Sequence, residues 1–311
     1  MEDSDSEIDE VMSEIHLGCP PGTKKPFLSR FTFSFDSHHL TVDKDGDLLI
    51  PRRNNNNNNF TFRSAHSFTV NIQHSITSTL PLVGLQVWKA QLVLSEFVLH
   101  KTCTSSDFHG IVCLELGAGT GLLGILLARV AKAVFLTDHG DQILDNCANN
   151  VHINSSLFNP QTVVNVRELN WMSEWPIEDS HSHCTIPDMY CWSSQDFDQV
   201  KNASFIFAAD VIYNDDLTIA LFSTLKRLMS FGCEKVLYLG LEKRYNFSLD
   251  DLNVVANGYA CFRSYIKGEG LCKQEKGVFV GKRIDITQIP QYMKDYDRGE
   301  DVELWEIKYV F

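Results

Sequence analysis

The feature that most constrains the fold is Glu115-Leu116-Gly117-Ala118-Gly119-Thr120-Gly121, which stands between the apolar run Ile111-Val112-Cys113-Leu114 and a longer apolar stretch, Leu122 to Lys132. A short apolar run, then glycines, then helix-length apolar sequence predicts a buried strand that turns sharply into a helix. Glycines at alternate positions also let backbone N–H groups approach a ligand closely. The same strand–helix alternation recurs along the chain. Phe68 to Ile72, Ala133 to Thr137, Thr162 to Leu169, Phe205 to Ala209 and Lys235 to Leu241 read as strands. Gly84 to His100, Asp141 to Asn154, Asp215 to Ser230 and Leu249 to Asn257 read as helices, and Tyr259 to Ile266 is expected to pair with Glu303 to Phe311 as a closing antiparallel hairpin. Strands alternating with helices imply an α/β, Rossmann-like fold with a mostly parallel sheet and right-handed crossovers. Ligands in such folds bind beyond the carboxyl ends of the strands.

The regular pattern begins only after an unbroken asparagine run, Asn54 to Asn59, which reads as a low-complexity linker. Residues 1–66 are therefore expected to form an N-terminal extension, and residues 67–311 the main domain. Within the extension, residues 1–14 read as an acidic disordered tail, whereas Phe31, Phe33 and Phe35 alternate as on a strand. Trp171 to Lys201 is polar and reads as a surface insertion. Its His181, His183 and Cys184 lack a matching second half-site, so no metal is expected.

Charge and cysteine usage narrow the class further. The net charge is −13 and the basic residues are dispersed, which argues against direct nucleic-acid binding. No run of eighteen apolar residues appears, so no membrane span is expected. The acidic start, Glu2-Asp3-Ser4-Asp5, is unlike a secretory or mitochondrial leader, and the nine cysteines lack CxxC spacing. Reduced thiols, a nuclear or cytoplasmic home and a monomer are the expectations.

Four groups at predicted strand ends carry the chemistry. Gly119-Thr120-Gly121-Leu122-Leu123-Gly124 fits the dinucleotide pattern GxGxxG, with Asp138 at a spacing such a site would accept. Glu115 tips the reading the other way. An acid beside the loop opposes a pyrophosphate and suits a sulfonium cofactor that carries an ammonium and no phosphate, namely S-adenosylmethionine. Asp138 is then placed to accept ribose hydroxyls, its alternative being a cap for the following helix. Trp171 is placed against the adenine, or packs as a core or lid residue. Asp210-Val211-Ile212-Tyr213 follows five apolar residues, where an unpaired carboxylate would be costly to bury, so Asp210 faces a cleft or a partner. Val211-Ile212 stands where methyltransferases of adenine, cytosine and glutamine commonly have Pro-Pro, which argues against planar amide-type nitrogen acceptors.

Gly84-Leu85-Gln86-Val87-Trp88, the glycine loop, Thr137-Asp138, Leu169-Asn170-Trp171 and Ala209-Asp210-Val211-Ile212-Tyr213 together resemble the seven-β-strand protein lysine methyltransferases that carry a DxxY motif. The resemblance covers residues 68–311. It implies a seven-stranded methyltransferase sheet. It also implies a cofactor site at Trp88, Glu115, Gly117, Ala118, Gly119, Gly121, Asp138, Trp171 and Ala209, and a lysine channel at Asp210 and Tyr213. Asn170 departs from the family, which often has Asp there. The expected reaction is methyl transfer from S-adenosyl-L-methionine to the side-chain amine of lysine in a protein substrate. A small-molecule acceptor, or a catalytically silent scaffold of the same fold, would leave the same sequence signs.

Overall fold

A computed structural model describes residues 10–15, 26–35, 67–173, 188–248, 253–268 and 276–311. The asparagine run and the His181, His183 and Cys184 group lie outside the described residues. In the N-terminal part, β1 (Glu10–Met12), β2 (Phe27–Ser34), β3 (Ser67–His74) and β4 (Thr77–Thr79) form two antiparallel pairs, β1 with β4 and β2 with β3. A 3₁₀ turn, Leu80–Leu85, leads into α1 (Lys89–Thr104), followed by β5 (Val112–Leu116), α2 (Leu122–Leu127), β6 (Ala133–Asp138) and α3 (Asp141–Ile153). Next come β7 (Val163–Glu168), α4 (Ser194–Lys201), β8 (Phe205–Ala209), α5 (Asp215–Met229) and β9 (Val236–Glu242). The chain ends with β10 (Asn246–Ser248), β11 (Asn253–Val255), α6 (Asn257–Tyr265), β12 (Ile266–Gly268), β13 (Val278–Ile284) and β14 (Val302–Val310).

The main sheet runs β12-β13-β14-β9-β8-β5-β6-β7. β7, β6, β5, β8 and β9 are parallel, and β14 is antiparallel to both β9 and β13. This is the expected seven-stranded Rossmann-like sheet with one short edge strand, β12, added in parallel to β13. The chain order reverses at β5, whose neighbours are β6 and β8, so a crevice opens beyond the carboxyl ends of these strands. The apolar runs of β5, β6 and β8 follow from this position, because central parallel strands are covered on both faces.

Helix α1 has apolar residues on more than one side because it is enclosed: Ala90 to Leu99, the polar Gln91, Ser95 and Glu96 among them, are buried, and the helix packs against α2, β9 and β14. The stretch Leu80–Thr104 has the length and apolarity of a membrane span. Extended backbone at Gln86 and Trp88 divides it, and its helical half lies in the core.

Three expectations require correction. Glu10–Met12 is not part of a disordered tail. It pairs with Thr77–Thr79, Ile15 joins the core, and Gln86 Nε2 donates to Val11 O at 3.1 Å. Tyr259 to Ile266 is not a strand, since Asn257–Tyr265 is helical, and in the described part of the helix expected over Leu249 to Asn257 the backbone of Asn253–Val255 is extended. The physical reason is spacing. Tyr259, Phe262 and Ile266 recur at helical intervals, and Phe262 meets Phe222 and Trp305 at ring distances of 6.1 and 5.5 Å. The closing antiparallel pair is instead β13 with β14. Third, Cys191 is disulfide-bonded, whereas Cys103, Cys113, Cys147, Cys233 and Cys261 are free. Which thiols pair depends on the distances set by the fold, which linear spacing does not reveal.

Two smaller differences have local causes. Within the expected insertion, Ser194–Lys201 is a helix opened by a capping box between Ser193 and Asp196. Helix α2 stops at Leu127, and Asn159 N donates to the freed Ala128 O at 3.0 Å.

The β2–β3 pair is fastened to the main sheet on two sides. Its inner face sends Phe31, Phe33, Val70 and Ile72 into a cluster with Leu122, Ile125 and Leu126, each large side chain contributing about 1.5–3 kcal/mol by burial. The free edge of β3 is met by asparagines at four-residue spacing on α3. Asn154 Oδ1 accepts from Asn71 N at 2.9 Å, and Asn150 Oδ1 accepts from Gln73 N at 2.7 Å. Asn150 Nδ2 also donates to Thr120 O at 2.9 Å, which ties this edge to the glycine loop. The two sides of the asparagine run are thus packed together and onto the sheet.

Candidate active site

A cavity of about 360 Å³ opens beyond β5, β6 and β8. Its first end is built by the glycine loop. Gly117, Gly119 and Gly121 have φ of 63°, 54° and 79°, which residues with a side chain adopt only with strain. Space requires glycine as well. A Cβ on Gly117 would stand 2.6 Å from Val211 Cγ1, and one on Gly119 would stand 2.9 Å from Gly84 O. Gly119 N donates to Asp138 Oδ2 at 2.7 Å, and His139 N donates to Asp138 Oδ1 at 2.7 Å. Burial raises the Asp138 pKa, while these two amides oppose the shift. Each carboxylate oxygen keeps a further lone pair for a ligand hydroxyl. Trp171 packs beside Gly117, and its Nε1 is buried without a hydrogen-bond partner among the described residues.

The second end is built at the end of β8. Asp210 has φ of 55°, the only positive value among described residues other than glycine. Aspartate tolerates this region better than most residues, and such outliers concentrate at functional sites. The turn aims its carboxylate at the start of α1, where Ala90 N donates to Oδ2 at 3.0 Å. Here the charge also meets the positive end of the helix dipole. Arg244 Nη2 lies 3.4 Å from Oδ1, and the Arg244 guanidinium sits 4.5 Å from the centre of the Trp88 ring. The Trp88 indole is fixed in turn by Nε1 donating to Val83 O at 3.0 Å. Burial raises the Asp210 pKa; Arg244 opposes the shift and nearby Glu242 adds to it. Tyr213 lines the same end, with its phenol pKa raised by burial and then by Asp138.

The sequence profile of the lysine methyltransferase family matches residues 69–256. The chain belongs to the lysine methyltransferase family. It is 35% identical to methyltransferase-like protein 22 of Homo sapiens, over 76% of this chain and 57% of that protein. It is 34% identical to methyltransferase-like protein 22 of Mus musculus, over 79% of this chain and 61% of that protein. A more distant relative, the protein-lysine N-methyltransferase EEF2KMT of Mus musculus, is 27% identical over 55% of this chain and 47% of that protein. The chain thus spans about three fifths of the length of the first two relatives.

The fold brings Trp88, Gly117, Ala118, Gly119, Asp138, Trp171, Ala209, Asp210 and Tyr213 to one cavity. Gly121 is not in its wall. It opens α2 as the N-cap, close against Cys147. Glu115 is not in the wall either. Its side chain runs under α2, where Oε2 lies 3.0 Å from the position a Gly124 Cβ would take. Neither carboxylate oxygen has a hydrogen-bond partner among the described residues. Burial pushes its pKa up to about 8, an effect that the neighbouring Gly124 amide opposes and Asp138 reinforces.

Sequence reasoning missed Gln91, His139 and Arg244. Gln91 lies in the wall and its Nε2 donates to Ala118 O at 3.3 Å, holding the loop from α1. Its signal was weak, because Ser95 and Glu96 also interrupt the apolar sequence of that helix. His139 lies in the wall next to Asp138, with Nδ1 2.9 Å from Glu168 Oε1. Asn170, noted as a departure, lines the cavity and accepts from Met172 N at 2.9 Å, which shapes the turn that presents Trp171.

Proposed function

We propose that this chain binds S-adenosylmethionine in the cavity and transfers its methyl group to the side-chain amine of lysine in a protein substrate. The observation that carries the reading is one cavity with a glycine-loop end and a carboxylate–phenol end, in a chain of the lysine methyltransferase family. The residues fit the cofactor. The backbone at Gly117 and Gly119 leaves no room for side chains, so a ligand can approach it closely. Asp138 offers acceptors for ribose hydroxyls, and the unpaired Trp171 N–H offers a donor to the base. The volume falls within the range of small-molecule sites. S-adenosylmethionine, when bound, supplies a methyl group on a sulfonium, an electrophile that needs no further activation.

The chain's own contribution is positioning. Asp210, fixed by the start of α1, accepts a hydrogen bond from the acceptor amine and orients it. Tyr213 narrows the entrance beside it. No described side chain is placed as a dedicated base, and the amine proton leaves to solvent.

The experiment is incubation of the chain with methyl-labelled S-adenosylmethionine and a cell lysate, followed by mass spectrometry. Label on lysine that depends on the wild-type chain and is lost with Asp210→Asn supports the reading. Label confined to small molecules, or to another residue type, contradicts it.

A further inference from the structure

Resting on that reading, we propose that Arg244 is a positioning residue that already engages Asp210 and Trp88, a carboxylate and a ring able to hold an acceptor ammonium, so that the site admits the amine only in its neutral form. An ammonium is held by a carboxylate, by an aromatic face, or by both. At the acceptor end the carboxylate is Asp210 and the rings are those of Tyr213 and Trp88, all lining the cavity. The pair that matters here is Asp210 and Trp88. Both are already engaged by a cation of the chain itself, with Arg244 3.4 Å from Asp210 and 4.5 Å from the Trp88 ring centre. The Arg244 Nε is buried without a hydrogen-bond partner among the described residues, so the guanidinium is held by ring and charge rather than by a full fork of hydrogen bonds.

The surrounding charges do not reverse this balance. Glu242, at the end of β9, is the second carboxylate close to Asp210, and Lys89 at the start of α1 neutralises it at 2.7 Å. Lys89 is also met by the exposed Glu14 at 2.5 Å. Asp138 acts on Tyr213 from the cofactor end. Asp210 and Glu242 thus each face a cation, and a third positive charge entering beside Arg244 would be repelled. An arriving lysine ammonium gains little here and is opposed by a fixed positive charge, whereas the neutral amine is not. Only the neutral amine has the lone pair that the transfer requires. A guanidinium, charged at every working pH, suits this role, and lysine can substitute in charge though not in shape.

The test is titration of n-butylamine, protonated at neutral pH and equivalent to a lysine side chain, followed by ligand-observed NMR. Arg244→Gln is expected to bind it about tenfold more tightly than the wild type, and Arg244→Lys to match the wild type. Adding Asp210→Asn to Arg244→Gln is expected to abolish the gain. Uncharged n-butanol is expected to bind all variants alike. Equal butylammonium affinity in the wild type and Arg244→Gln overturns the proposal, as does a gain that survives in the double variant. Titration of S-adenosylmethionine into the wild type separates the two claims. Absence of cofactor binding contradicts the methyl-transfer reading whatever butylammonium does, whereas unchanged butylammonium affinity contradicts only the role of Arg244.

Discussion

At the glycine-loop end of the cavity the wall is built on backbone, with the left-handed Gly117 and Gly119 and the Gly119 amide drawn onto Asp138. At the β8 end the wall is side-chain charge: Asp210 between a helix start and a guanidinium that lies over Trp88. The first end offers fixed shape and little latitude for substitution. The second offers charges whose balance can be altered without blocking space. One end should therefore govern whether the cofactor binds, and the other what happens once it has bound.

The largest effect should follow from breaking the backbone end. Gly119→Val puts a branched side chain at φ of 54° with its Cβ 2.9 Å from Gly84 O. Strain of about 1–3 kcal/mol plus that clash should weaken S-adenosylmethionine binding by about a hundredfold or more, read by calorimetry. Asp210→Asn comes next. Its amide oxygen can still accept from Ala90, but the ion pair with Arg244 is lost. Because the Arg244 side chain is 33% exposed, the stability cost should be only about 1–2 kcal/mol. Methyl transfer should fall by about a hundredfold, measured as S-adenosylhomocysteine formed with lysate protein.

Glu115 belongs to neither end, and it sharpens the comparison through pH. Its folded pKa, about 8, lies above the ordinary 4.5, so the folded state binds the extra proton. Stability from this group is complete below about pH 4.5 and is lost as pH rises towards 8. Glu115→Gln should remove that slope and gain a few kcal/mol relative to the wild type at pH 8, visible in urea melts across this range. An identical pH slope in both proteins would show that the carboxylate is paired. The smallest effect is expected for Tyr213→Phe, which keeps the ring and loses only the hydroxyl. Transfer should change by about tenfold or less, with cofactor affinity unaltered.

Much of this was legible in the sequence because the signals were local. Glycines between a strand and a helix mark a turn that other residues cannot make, and Asp138 ends β6, Asp210 follows β8 directly and Trp171 lies three residues beyond β7. Chain order alone therefore brought them to one edge of the sheet. The missing parts were non-local or ambiguous in period. Arg244 joins the site through contacts with Trp88 and Asp210, both distant in sequence. Glu115 was read as facing the ligand, yet alternation along β5 carries its side chain under α2. Tyr259, Phe262 and Ile266 carry the helical spacing, but the segment is too short for period alone to separate it from a strand, and the packing of Phe262 on Phe222 and Trp305 decides it. The role of Asn150 and Asn154 depends on the β3 backbone, distant in sequence, which they bind.

The most direct test of the two-ended cavity is S-adenosylmethionine affinity and methyl transfer measured side by side on Asp210→Asn. The account predicts cofactor affinity within about threefold of the wild type together with transfer reduced by about a hundredfold. Full transfer by Asp210→Asn, or loss of cofactor binding in parallel with transfer, would contradict the division of the cavity.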